Sequence, residues 1–83
     1  MNEVVIEDTA LVAFLMLRGH KVMPIRKVED PNRIAFSVAG DIKLDMDLYN
    51  KNYEVGIQDY VKSLKMVRSM MFNAKSVSYS PRM

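Results

Sequence analysis

Eight consecutive apolar residues, 10–17, lie between Asp8-Thr9 and Arg18-Gly19-His20. Asp8 and Thr9 are both competent helix N-caps. Arg18 suits the last turn of a helix, and Gly19 suits the left-handed position just past its end. The spacing therefore predicts a helix over 8–18. A helix that is apolar on every side must be buried all round, or buried on one side and used as an interface on the other. In a chain of 83 residues this is a strong constraint. A domain of that size hides only a little over ~60% of the surface its unfolded chain exposes. The rest of the chain must wrap this segment or leave part of it to a partner. The run is far too short to span a bilayer. Acidic Glu3, Glu7 and Asp8 precede it where a secretion signal carries basic residues, so a cytoplasmic location and no membrane contact are expected.

The remaining segments predict a small single α+β domain over 1–75, with 76–83 as a mobile tail. Residues 1–7 read as an arm. Residues 21–28 read as a strand that Pro24 restricts to a sheet edge. Glu29-Asp30-Pro31-Asn32 is turn chemistry, and 33–39 alternates, with Ile34, Phe36 and Val38 on one face and Arg33, Ala35, Ser37 and Ala39 on the other. A β-hairpin with its apolar face on the first helix follows. Residues 41–52 support two readings. Ile42, Leu44, Met46 and Leu48 alternate as in a third strand. Asp41 as a cap and the four-residue spacing of Leu44 and Leu48 favour a short helix. Over 57–73, Ile57, Tyr60, Val61, Leu64, Val67 and Met71 make an amphipathic helix that Asn73 would close.

Chemistry-bearing residues are few. The absence of cysteine removes disulfides, thiolate nucleophiles and thiolate metal sites. The single histidine, His20, is expected at a helix terminus or in water. Gly19, Gly40 and Gly56 fall at element ends and form no phosphate loop. Asp41, Asp45 and Asp47 read as a solvated acidic face with one cap, because Lys43 lies among them. The expectation is a protein that is not an enzyme and needs no cofactor or metal.

Surfaces carry what remains. Charge alternates in blocks: −3 over 1–17, +3 over 18–33, −3 over 41–59 and +5 over 60–83, with no acid after Asp59. Two functional expectations follow. A non-enzymatic interaction module would bind a protein partner or itself through Phe14, Met66, Met70, Met71 and Phe72, since methionine makes adaptable contacts. As an alternative, a nucleic-acid-binding accessory protein would grip phosphates with Arg26, Lys27, Arg33, Lys62, Lys65 and Arg68, with Tyr79 free to stack on a base.

The order of elements, with Leu17, Gly19 and Lys21 as a Leu-x-Gly-x-Lys signature, then a hairpin, Tyr49, Val55 and a helix led by Tyr60, resembles a family of small phage and prophage proteins classed as a domain of unknown function. The likeness covers about residues 8–73. It implies a viral origin and a helix after the second strand of the hairpin, and it assigns no activity and no functional residues.

Overall fold

The computed structural model describes residues 3–26 and 33–79. The elements in chain order are β1 (Glu3–Ile6), α1 (Thr9–Leu17), β2 (Val22–Arg26), β3 (Ile34–Ala39), α2 (Lys43–Asn50) and α3 (Ile57–Tyr79). The fold is a single α+β domain: three helices against a three-stranded antiparallel sheet of order β1-β3-β2.

α1 begins and ends as its flanks require. The Asp8 carboxylate accepts from the backbone N–H of Ala10 at 3.0 Å and of Leu11 at 3.4 Å. At the other end Gly19 takes φ +102°. Its N–H donates to Met16 O while His20 N–H donates to Leu15 O, a Schellman turn. Leu11, Val12, Ala13, Phe14 and Leu15 are all buried. The sheet covers one side through Ile34, Phe36 and Val38, α3 covers another through Val67 and Leu64, and Ile42, Leu48 and Tyr49 close the end. α3 is fastened to α1 by two side chains three residues apart. Tyr60 Oη donates to Ala10 O at 2.9 Å, and Ser63 Oγ donates to Ala13 O at 2.7 Å.

β2 is an edge strand, as Pro24 demands. Two expectations about the termini are corrected. Residues 3–6 are not an arm but the third strand, with Glu3 opposite Ala39 and Ile6 opposite Phe36. The strand places Ile6 on the core and leaves Val5 on the far face, a period of two that four residues barely display. With β1 completing the sheet, 41–52 is free to be helical. Asp41 Oδ1 accepts from Lys43 N–H at 3.1 Å at the start of α2. α3 does not close at Asn73 but continues to Tyr79. Nothing from Ala74 onward breaks a helix before Pro81, which disfavours helical geometry at Ser80. The turn expected at 29–32, the tail residues 80–83 and Lys27 lie outside the described residues.

Candidate functional site

The Schellman turn at Gly19 aims His20 back across the end of β3, where α2 arrives. His20 Nδ1 lies 2.9 Å from Ala39 O, and Nε2 lies 2.7 Å from Asp45 Oδ2. Both partners are acceptors, so the ring satisfies them fully only as an imidazolium donating from both nitrogens. Burial alone would lower the His20 pKa, but the bonds to the Ala39 carbonyl and the Asp45 carboxylate outweigh it and raise it above its ordinary 6.5. Burial pushes the Asp45 carboxyl up. Hydrogen bonds from His20 and Arg18 prevail and hold it below its ordinary 3.8. Arg18 Nε donates to Asp45 Oδ1 at 2.9 Å. Gly40 makes the approach possible: at φ +95° it takes a left-handed conformation, and a Cβ there would lie 3.3 Å from His20 Nδ1. The three groups satisfy one another and tie α1 to α2.

The three aspartates are therefore separated by role. Asp41 caps α2, Asp45 joins Arg18 and His20, and Asp47 pairs with Lys51 at 3.0 Å along the helix. Among the described residues no three histidine or acidic side chains gather as a metal set.

α2 ends as α1 does. Asn52 takes φ +60°, and Tyr53 N–H donates to Leu48 O, a second Schellman turn. This turn brings Tyr53 edge-on to Phe14 at 6.4 Å, with Tyr49 at 5.5 Å from the same ring. The Arg18 guanidinium lies 5.4 Å from the Tyr53 ring centre. Phe14, Tyr49, Tyr53 and Tyr60 line an open cavity of about 500 Å³ with Asn50, Asn52 and Val55. Its walls carry no carboxylate, imidazole or amine. Its lining offers aromatic rings for stacking and tyrosine hydroxyls and asparagine amides for hydrogen bonds.

The expected interface residues fall into different environments. Phe14 is 3% exposed and belongs to the core, because Tyr49 and Tyr53 cover the side of α1 that it faces. Met70 and Met71 are half-buried and pack towards the core from α3. Met66 and Phe72 are exposed, at 58% and 70%. Met66 borders a shallow groove with Met16, Leu17, Asp59, Lys62 and Ser63.

Of the basic residues, Lys62, Lys65 and Arg68 lie on the outer side of α3, opposite buried Ser63 and Val67. Phe72 is four residues from Arg68 and seven from Lys65, so it shares their face. No described acid pairs with these three cations. Arg33 bonds to Glu7 and is partly neutralised. Arg26 is exposed at the end of β2.

A further surface was not expected. The helices all pack on the sheet face that carries Ile6, Val22, Ile34, Phe36 and Val38. On the opposite face Ala35 is fully buried, but larger apolar side chains around it stay open. Val5, Met23 and Ile25 lie there, 58%, 67% and 38% exposed. The register sets Val5 and Met23 on either side of Ser37, and Ile25 beside Ala35.

Residues 1–73 match the model of a family described as a domain of unknown function (DUF5659). The chain belongs to this family. No curated protein and no solved structure matches it. The DUF5659 match covers every element described except the last turns of α3. Among the described residues, no helix is long and apolar enough to cross a membrane.

Proposed function

We propose that this DUF5659 domain is a non-enzymatic interaction module that works by covering its open sheet face with a protein partner or a second copy of itself. The observation that carries the reading is the pair of flanking strands. β1 and β2 both direct apolar side chains away from the helices, onto a face whose centre is half-buried Ser37 and Ala39, with Ala35 fully buried beside Ile25. A solvated antiparallel face ordinarily alternates to polar residues. Val5, Met23 and Ile25 break that rule together. The resemblance at Leu17, Gly19 and Lys21 to small phage and prophage proteins supports a phage-encoded module. Size-exclusion chromatography with light scattering, together with an apolar dye, tests the reading. Wild-type protein should associate or bind dye, and Val5→Lys with Met23→Lys should abolish both while circular dichroism stays native. A wild-type monomer that binds neither dye nor partner refutes it.

A second reading has its own observation. The outer side of α3 presents Lys62, Lys65 and Arg68 around exposed Phe72. Cations spaced about an aromatic ring suit a single-stranded nucleic acid, with phosphates on the charges and a base on the ring. Such binding weakens steeply with salt. Labelled single-stranded DNA and RNA showing no affinity at low ionic strength would end this reading.

A further inference from the structure

We infer that the occupant of the open sheet face is a second copy of this chain, packed face to face about a two-fold axis that runs parallel to the strands. This rests on the interaction-module reading and assigns its partner. Glu3 lies opposite Ala39 on β1, and Lys21 reaches Ala39 from the other side, where Ala39 N–H donates to Lys21 O at 2.9 Å. The open face therefore has an acidic flank and a basic flank, with half-buried Ser37 and Ala39 between them. Glu3 holds its position by accepting from Ser37 Oγ at 3.2 Å.

Two copies can stack such faces about two kinds of in-plane axis. An axis perpendicular to the strands sets β1 over β1 and brings acidic flanks together. An axis parallel to the strands sets β1 over β2. Glu3 then faces the partner's Lys21, and Val5 faces the partner's Met23. The small residues of β3 meet their own copies on the axis, where bulk would prevent close approach. Aligned sheets pack about 10 Å apart with a twist of about 30°, a gap that a glutamate and a lysine span from opposite sides. Self-complementarity of this kind is what a two-fold interface requires. Glu3 and Lys21 lie on opposite edges of one sheet, and among the described residues no ion pair joins them within a chain.

The test uses single-cysteine variants, since the natural chain has none. Facing residues of stacked sheets lie beyond disulfide reach, so a short bismaleimide linker is the probe. A mixture of Val5→Cys and Met23→Cys should cross-link well above either variant alone. Glu3→Lys and Lys21→Glu should each weaken association about tenfold, and the double variant should restore it. Self-linking of Val5→Cys as the dominant product would set β1 against β1, by the perpendicular axis or through the β1 edge, and would overturn the inference. So would a dimer showing neither the mixed cross-link nor charge rescue, although the interaction-module reading would then stand. A wild type that is monomeric at every concentration and binds no dye removes both.

Discussion

Asp45→Asn removes the charge from the polar cluster of Arg18, His20 and Asp45 that ties α1 to α2. The substitution keeps the shape and one acceptor towards His20 and removes the carboxylate. The side chains of His20 and Asp45 are each only 13% exposed, so their bond is poorly screened. A hydrogen bond to a charged group contributes about 1.5–3 kcal/mol, against about 0.5–1.5 kcal/mol for a neutral one. The exchange should therefore cost about 1–1.5 kcal/mol. For a domain of this size, that lowers the melting temperature by roughly 5–10 °C. The sign of the pH dependence follows from the shifts. The His20 pKa is raised above 6.5, so its contribution is complete below 6.5 and is lost as pH rises through the folded value. The Asp45 pKa is lowered below 3.8, so its contribution is complete above 3.8 and is lost as pH falls through the folded value. The gap between wild type and Asp45→Asn should be widest between those limits. It should narrow towards pH 9, as pH rises through the raised His20 value and Arg18 is left as the charged partner of the carboxylate. Thermal unfolding by circular dichroism at pH 5.5 and pH 9 reads it directly. An equal gap at both values, or none at pH 5.5, would refute the imidazolium bridge.

Other perturbations have equally definite outcomes. Ser63→Ala removes the buried bond to Ala13 O and should cost about 1 kcal/mol in urea unfolding; a stability unchanged within error would mean α3 is not fastened there. Gly40→Ala forces a left-handed alanine against His20 and should destabilise by about 1 kcal/mol or more, with the His20 ring resonances displaced in NMR spectra. Met23→Lys places a charge where burial of that side chain would otherwise contribute about 1–2 kcal/mol per copy; it should weaken self-association at least about thirtyfold in sedimentation experiments and leave the melting temperature of the monomer nearly unchanged. Glu substitutions at Lys62 and Lys65 should leave self-association intact, because those residues lie on the other side of the molecule from the open face.

Much of the fold is legible where a local pattern and a local stop agree. The apolar run with Asp8 before it and Gly19 after it marks α1 within a residue of its ends. Pro24 marks an edge strand, and the alternation of Ile34, Phe36 and Val38 marks the core face of β3. β1 escapes because four residues show too little period, and its paired residues on β3 are thirty or more positions away. α2 was reached through Leu44 and Leu48, yet Leu44 is largely exposed, and its true anchors are Ile42, Leu48 and Tyr49. The candidate surfaces depend on such distant pairings. Phe14 looks available in a helix that is apolar all round until Tyr49 and Tyr53 close over it. His20 looks solvated until α2 folds back and delivers Asp45. Arg33, Ala35, Ser37 and Ala39 read as the face of a hairpin turned away from the core. Only the addition of β1 on one flank and the outward turn of Met23 and Ile25 on the other make that side an apolar face. One signal was present: Val5, Met23 and Ile25 are large apolar residues at positions that a solvated strand would fill with polar ones.

The most direct measurement is an NMR dilution series that follows the methyl signals of Val5, Met23 and Ile25 alongside those of Met66. If the open sheet face is where two copies meet, the first three signals move with concentration from the millimolar to the micromolar range and Met66 stays still. Signals of the sheet face that do not respond to dilution, or a response confined to Met66 and its neighbours on α3, would contradict it.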